Sequence, residues 1–137
     1  MKTIVNLTQH TASPDQVSAG VFDSKNSDAV AILLTFDKIP TAYDIFQKAR
    51  ELARIATNSG AKSAMIGGAP WFMKELEFQL KQAGIAPFYA FSTRVSEEQV
   101  QADGSVKKIN VFKHIGFVPA GGIQPLRTED DMSREGE

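Results

Sequence analysis

Short apolar segments alternate with helical segments along most of the chain, and this order constrains the fold more than any other feature. Four segments have the length and composition of β-strands: residues 2–7, 21–23, 63–66 and 88–91. Three segments between them have helical signals: residues 13–20, 41–59 and 71–83. Strands that alternate with helices form parallel sheets covered by those helices. The sequence therefore predicts an α/β fold, a mainly parallel sheet with helices on both faces.

Capping signals mark where two of the helices begin. Ser13 is followed by Pro14 and, three residues after Ser13, by Gln16, while Thr41 precedes an apolar stripe with Asp44 at the third position. Residues 27–36 are more ambiguous, because a continuous apolar run fits either a buried strand or a buried helix. The polar residues at 27 and 28 are suitable N-caps, which favours a helix.

The chain after residue 91 has the pattern of a C-terminal β-hairpin. Asp103 and Gly104 form the strongest short-range turn signal, and the following strand, residues 106–117, alternates its side chains between two faces. Residues beyond 118 contain glycines, prolines and an acidic run. The sequence predicts a domain over residues 1–118 and a flexible acidic tail over 119–137, and it predicts that the tail is dispensable.

The charge and the missing cysteines exclude several classes of function. Residues 1–117 carry thirteen Lys or Arg and eleven Asp or Glu, a net +2 that is too small for coating duplex nucleic acid. Without cysteine there are no disulfides, thiolate zinc sites or cysteine nucleophiles. No segment has the length of a membrane span, and the N-terminal residues are too polar for a signal peptide. We expect a cytoplasmic protein that does not associate with membranes.

Polar or glycine-rich residues follow three of the predicted parallel strands. They are Thr8, Gln9 and His10, then Gly67, Gly68 and Ala69, and finally Ser92, Thr93 and Arg94. Ligands of open α/β sheets bind outside the carboxyl ends of the strands. A glycine turn at a helix N-terminus attracts anions, and hydroxyl groups beside an arginine can hold a phosphate. These residues predict a pocket for a small phosphorylated ligand, with neither a dinucleotide cofactor nor ATP hydrolysis, because GxGxxG and GxxxxGK[ST] are missing.

Several of these residues have a structural interpretation as well as a functional one. His10 is either a solvent-exposed loop residue or a proton-transfer group, and His114 is either a structural histidine with satisfied hydrogen bonds or a second catalytic group. Arg94 either contacts phosphate or pairs with a surface glutamate at 97 or 98. Trp71 is either a core residue or a surface on which a base stacks. No histidine–carboxylate group has metal-ligand spacing, so we expect no metal and no cofactor.

The run YAFSTR…E…DG.V….VFKHIGF resembles the C-terminal part of small CRISPR-associated or viral ring nucleases. The similarity is closest over residues 85–117, and it departs at Gly116, where that family carries a larger, often basic residue. The resemblance implies a Rossmann-like, CARF-related fold and a homodimer that degrades cyclic oligoadenylate second messengers. It favours His10, Arg94 and His114 as catalytic residues.

Without a metal, the simplest chemistry for such a ligand is attack of a ribose 2′-hydroxyl on the adjacent phosphodiester, which gives a 2′,3′-cyclic phosphate. Two alternatives stay open at this point. The same pocket would also serve a non-catalytic sensor or sponge that binds a cyclic oligonucleotide. A protein of this fold without any small-molecule ligand is the third possibility.

Overall fold

The computed structural model describes residues 2–121 and has a mixed α/β architecture. The elements in chain order are β1 (Ile4–Leu7), α1 (Pro14–Ser18), β2 (Val21–Asp23), α2 (Ser27–Leu33), α3 (Ala42–Asn58), β3 (Ser63–Ile66), α4 (Pro70–Gln82), β4 (Ala86–Val100) and β5 (Val106–Pro119). They form one five-stranded sheet in the order β2-β1-β3-β4-β5. The strands β1 to β4 are parallel and β5 is antiparallel to β4, so the predicted parallel sheet with a C-terminal hairpin is confirmed.

One face of the sheet packs against three helices. Alternate residues of β1 and β3 enter the same buried cluster as side chains from α2, α3 and α4. Its fully or almost fully buried members include Val5, Leu7, Ala64, Ile66, Val30, Leu52, Phe72 and Leu76. Because side chains alternate along a strand, the remaining residues of β1 and β3 point to the opposite face. The polar Asn6 and the buried Met65 therefore lie on that second face.

The sheet curls around the short helix α1. This helix contacts both β2 and β5, which are the two edge strands of the sheet. A single five-residue helix can reach both edges only when the sheet bends towards it. The curl gives the second face of the sheet partial cover by α1.

The predicted hairpin is present, but its first strand is continuous with the last parallel strand. The return strand β5 covers the predicted residues 106–117 and two more. Ser92, Thr93 and Arg94 were expected to lie in a loop after the parallel strand, and they instead continue β4, because β5 pairs with β4 from Phe88 to Val100. The pairing has one irregularity, between Phe91 and Ser92. A two-stranded ribbon can carry polar side chains on both faces, which allows these three polar residues to be part of it.

Local signals predicted two of the helix starts correctly. The side chains of Ser13 and Thr41 accept hydrogen bonds from the backbone N–H of Gln16 and Asp44, and both capping boxes are complete. Residues 27–33 are helical, which resolves the ambiguous apolar run in favour of a helix, but the predicted N-cap at 27 or 28 is wrong, because Asn26 is the N-cap and makes no side-chain cap hydrogen bond. Within residues 2–121, no helix combines the length and the apolar character that a membrane crossing needs.

The compact body extends slightly past the predicted boundary at residue 118. Ala120 is 7% exposed and packs in the main buried cluster, and its N–H donates to the Pro87 carbonyl at 3.0 Å. The rest of the predicted acidic tail lies outside the described residues.

Candidate functional site

A cavity of about 400 Å³ opens at the carboxyl ends of β1 and β3, beside the first part of β4. Residues 8–10 line it after β1, residues 65–68 at the end of β3 and in the turn after it, and Tyr89 and Ala90 along β4, while Gln16 of α1 lines one side. Its volume falls within the range of about 300–1,000 Å³ that is usual for small-molecule sites. The structure thus brings together five of the predicted site residues, Thr8, Gln9, His10, Gly67 and Gly68.

The strand register explains why these loops meet. Leu7 is paired with Ile66, and Ile66 is paired with Tyr89, so the three strands reach the same level at these positions. Both loops leave the sheet immediately beyond this level. Ligand sites of open α/β sheets lie at such carboxyl ends.

Asn6 holds the loop that carries His10. Its side-chain amide donates to the His10 carbonyl and to Asp23 Oδ1, both at 2.7 Å. Its carbonyl oxygen accepts from the Thr8 N–H at 3.0 Å and from the Thr8 hydroxyl at 2.7 Å. Asn6 is only 5% exposed, so these bonds satisfy an amide that would otherwise be costly to bury. This role was not predicted, although a polar residue between Val5 and Leu7 in a buried strand indicates a side chain that needs hydrogen-bond partners.

His10 is exposed at the rim of the cavity. The contacts that fix the loop at this residue use its backbone: its carbonyl accepts from Asn6 and from the Thr8 hydroxyl, and its N–H donates to the Thr8 hydroxyl at 3.3 Å. The imidazole is therefore placed by a well-bonded backbone and stays accessible to a ligand. This arrangement suits a proton-transfer group.

The glycine turn after β3 lines the cavity and leads directly into α4. Ala69 is the N-cap of α4 and makes no side-chain cap hydrogen bond. Pro70 has no N–H, and the N–H groups of Phe72 and Met73 both donate to the Ala69 carbonyl at 2.9 Å, so the Trp71 N–H is the free backbone donor of the first turn among residues 2–121. Free N–H groups at the start of a helix attract negative charge. Gly67 and Gly68 keep this approach free of side chains, while Ala69 itself does not line the cavity.

The two glycines of this turn should respond differently to alanine. Gly68 has a φ of 157°, and an added Cβ would lie 3.1 Å from the Met73 Cε, whereas a Cβ on Gly67 would meet only the Thr8 methyl at 3.7 Å. We expect Gly68→Ala to lower the free energy of unfolding by about 1–3 kcal/mol. Gly67→Ala, as the matched control, should change it by less than about 0.5 kcal/mol. Urea denaturation of both variants checks this, and equal losses would contradict it.

Tyr89 joins the cavity to α4. Its hydroxyl donates to Glu77 Oε2 at 2.6 Å, and burial, followed by this bond, raises the pKa of the phenol above its usual value near 10. The phenol thus remains a neutral donor at physiological pH. Tyr89 also lines a neighbouring cavity of about 380 Å³ with Gly68, Glu77 and Lys74, so a cation lies beside the glycine turn. Tyr89 reaches the cavity because it pairs with Ile66, the last residue of β3. This pairing is not apparent from the sequence alone, so Tyr89 was not among the predicted site residues.

Arg94 does not line the cavity of its own chain. It is five residues past Tyr89, which places it ~16 Å farther along an extended strand. Its guanidinium carbon lies 5.3 Å from the ring centroid of Phe112, its partner across the ribbon. Within residues 2–121 the ion pair found is between Arg54 and Glu51, so the alternative pairing of Arg94 with a glutamate at 97 or 98 is not observed.

Ser92 and Thr93 are likewise on the ribbon, paired with His114 and Lys113. His114 lies against Phe117, with ring centroids 4.8 Å apart in an edge-to-face arrangement. Both of its ring nitrogens are buried and have no hydrogen-bond partner among residues 2–121. His114 does not line the cavity. A satisfied structural histidine is therefore not observed, and the catalytic interpretation of His114 stays a prediction.

Within residues 2–121, no group of three or more His, Asp or Glu side chains is arranged to hold a metal ion.

Residues 2–118 match the family described as "Uncharacterized protein MJ1673 family". No curated protein and no solved structure matches the chain significantly. The family description states no activity, so the resemblance to ring nucleases stays a prediction. Because the match covers most of the 137 residues, the chain belongs to the MJ1673 family.

Proposed function

We propose that the chain is a ring nuclease of Rossmann-like fold that binds cyclic oligoadenylate and cleaves one of its phosphodiester bonds. The proposal rests on one observation: an accessible histidine and a glycine turn that leads into a helix line the same cavity. The first group moves protons and the second attracts a phosphate. A phosphodiester with its own neighbouring 2′-hydroxyl needs both.

In the proposed reaction the ribose 2′-oxygen attacks the adjacent phosphorus and the 5′-oxygen leaves. His10 takes the proton from the 2′-hydroxyl, and the departing 5′-oxygen receives a proton from the imidazolium or from water. The N–H groups of Gly67, Gly68 and Ala69, the free N–H of Trp71 and the Lys74 ammonium stabilise the charge on the phosphate. The products are a 2′,3′-cyclic phosphate and a 5′-hydroxyl, so atoms balance without a co-reactant.

The test is incubation of the protein with cyclic tetra- and hexa-adenylate in EDTA, followed by mass spectrometry. The expected products are linear oligoadenylates with a 2′,3′-cyclic phosphate end. Rings that bind and are recovered intact would instead make the protein a sensor or sponge. Rings that neither bind nor change would contradict the proposal altogether.

Arg94 enters the proposed mechanism through a homodimer. The ribbon extends beyond the parallel sheet and exposes apolar side chains, with Phe91 49%, Phe112 72% and Ile115 57% exposed. Exposed apolar surface of this kind suits contact with another protein surface, and closed twofold dimers are the commonest oligomers. In such a dimer the ribbon of one copy brings its Arg94 to the cavity of the other, where the planar guanidinium contacts phosphate.

Mixing two inactive variants tests this arrangement. If Arg94 acts across the dimer, Arg94→Ala and His10→Ala are each defective alone, but their heterodimer contains one intact site. An equal mixture that has exchanged subunits should recover about a quarter of the wild-type turnover. No recovery, with exchange shown by mass spectrometry of the intact complexes, would contradict an Arg94 contribution from the second copy. Full activity of Arg94→Ala alone would remove it from the mechanism.

A further inference from the structure

A second cavity, of about 720 Å³, lies on the other side of the α4 N-terminus and has aromatic walls. Phe36 and Trp71 form the walls, and Ile45 with the loop of residues 37–40 completes the lining. The Phe36 and Trp71 rings meet edge to face, with centroids 4.9 Å apart at 73°. Phe36 in turn packs on the buried Phe72 at 5.0 Å, so the wall is anchored in the core.

Trp71 remains half exposed, at 50% of its surface, although it is held in place on one side. A large aromatic residue that is held on one side and open to solvent elsewhere offers a rigid surface. Large exposed apolar groups of this kind can mark a binding site. Lys48 reinforces the wall, because its Nζ lies 4.1 Å from the Phe36 ring centroid and donates to the Thr35 carbonyl at 2.8 Å. The core interpretation of Trp71 is therefore wrong.

The aromatic cavity and the strand-end cavity share no lining residue, but the segments that line them are close in the chain and are joined by a hydrogen bond. Trp71 is the second residue of α4 and follows Gly68 by three positions. On the opposite border, the Gln9 side chain donates to the Thr35 hydroxyl at 2.9 Å, directly before Phe36. One turn and one helix end thus separate the two cavities. A ligand with its phosphate at the glycine turn has the aromatic wall within the reach of its adjoining nucleoside.

We infer that the aromatic cavity binds a purine base of the same ligand, stacked on Trp71. The inference rests on the proposed function, because the phosphate at the glycine turn is what places the base there. Stacking on an aromatic side chain suits any base. Asp37 and Lys38 at the rim supply a hydrogen-bond acceptor and a donor for the edge of the base. The strand-end cavity thus selects the phosphodiester and the aromatic cavity selects a nucleoside.

Trp71 is the single tryptophan of the chain, so its fluorescence reports on this cavity alone. The probes are cyclic tetra- and hexa-adenylate with 2′-O-methyl groups, which block the attacking oxygen, together with 5′-AMP and ribose 5-phosphate. We expect saturable quenching by the rings, weaker quenching by 5′-AMP, and none by the sugar phosphate. Quenching by 5′-AMP would support the base site even if the rings are never cleaved.

Calorimetry with three variants completes the test. Trp71→Ala should weaken ring binding about ten- to hundred-fold, and Trp71→Phe should keep most of the affinity, because a smaller ring still stacks. Phe78→Ala is the matched control, since Phe78 lies on the same helix and is 54% exposed but does not line the cavity, and its affinity should match the wild type. Rings that bind the wild type without quenching, and bind Trp71→Ala equally well, would overturn the base site and leave the proposed function standing. A wild-type protein that binds no ring would overturn both.

Discussion

Replacing His10 by alanine should reduce turnover of cyclic oligoadenylate by about 10²–10⁴-fold while ligand binding and folding persist. Folding persists because the contacts that fix the loop use the His10 backbone, which the substitution keeps. Binding should persist because the proposed phosphate contacts come from the glycine turn and the start of α4, which the substitution does not change. Single-turnover rates beside binding constants for the non-cleavable ring measure the two effects separately.

The matched control for this substitution is Thr11→Ala, the next residue in the same loop, which is also exposed. It should leave turnover unchanged. Imidazole added to the His10→Ala protein should restore part of the rate, because a free base can occupy the vacated position. A His10→Ala protein with the wild-type rate would assign the proton transfer to another group, and a parallel loss of binding would make His10 a contact residue.

Replacing Asn6 by alanine should have the largest effect on stability, a loss of about 2–4 kcal/mol in the free energy of unfolding. The substitution removes four hydrogen bonds at once. It leaves the Thr8 N–H without its partner, and it takes one of two donors from the His10 carbonyl and from Asp23 Oδ1, which keep the Thr8 hydroxyl and the Ala12 N–H. Since Asn6 is buried, water does not readily replace that partner. Urea denaturation measures the loss.

Gln9→Ala is the control for Asn6, because it also removes a side-chain hydrogen bond beside the cavity but at an exposed position. It should cost less than about 1 kcal/mol. Similar losses for the two variants would mean that the Asn6 network does not stabilise the loop. The Asn6 variant should also lose turnover, since the loop that places His10 is no longer fixed.

Local signals in the sequence were sufficient for the parallel part of the fold. The capping boxes at Ser13 and Thr41 located two helix starts, and β2 and β3 have the predicted bounds. These features depend on residues that are close together in the chain, so they can be predicted from one sequence without a structure. The apolar stripe of α3 was also visible, and it buries Ala49, Leu52 and Ala56 as expected.

The features that the sequence did not predict depend on pairing between distant segments. The Asp103–Gly104 turn predicted the hairpin, but not that Arg94, with Phe112 opposite it, continues β4 without a loop. The hydrogen bond from Asn6 to Asp23 spans 17 positions, and the edge-to-face contact of Trp71 with Phe36 joins α4 to the segment after α2. For the site, adjacent loops were predictable from strand order, whereas the aromatic cavity and the distance of Arg94 from the glycine turn were not.

The most direct test of the account is to locate the bound ring by the backbone amide NMR shifts of the protein. We predict that 2′-O-methyl cyclic oligoadenylate shifts the amide signals of Gln9, His10, Gly67 and Gly68, which line the strand-end cavity. A separate cavity of about 340 Å³ between residues 22–26 and the end of α3 provides an internal comparison, and the signals of Lys25 and Asn58 there should stay unchanged. Shifts confined to the comparison cavity of Lys25 and Asn58, with the Gly67 and Gly68 signals unchanged, would contradict the placement of the site and the mechanism built on it.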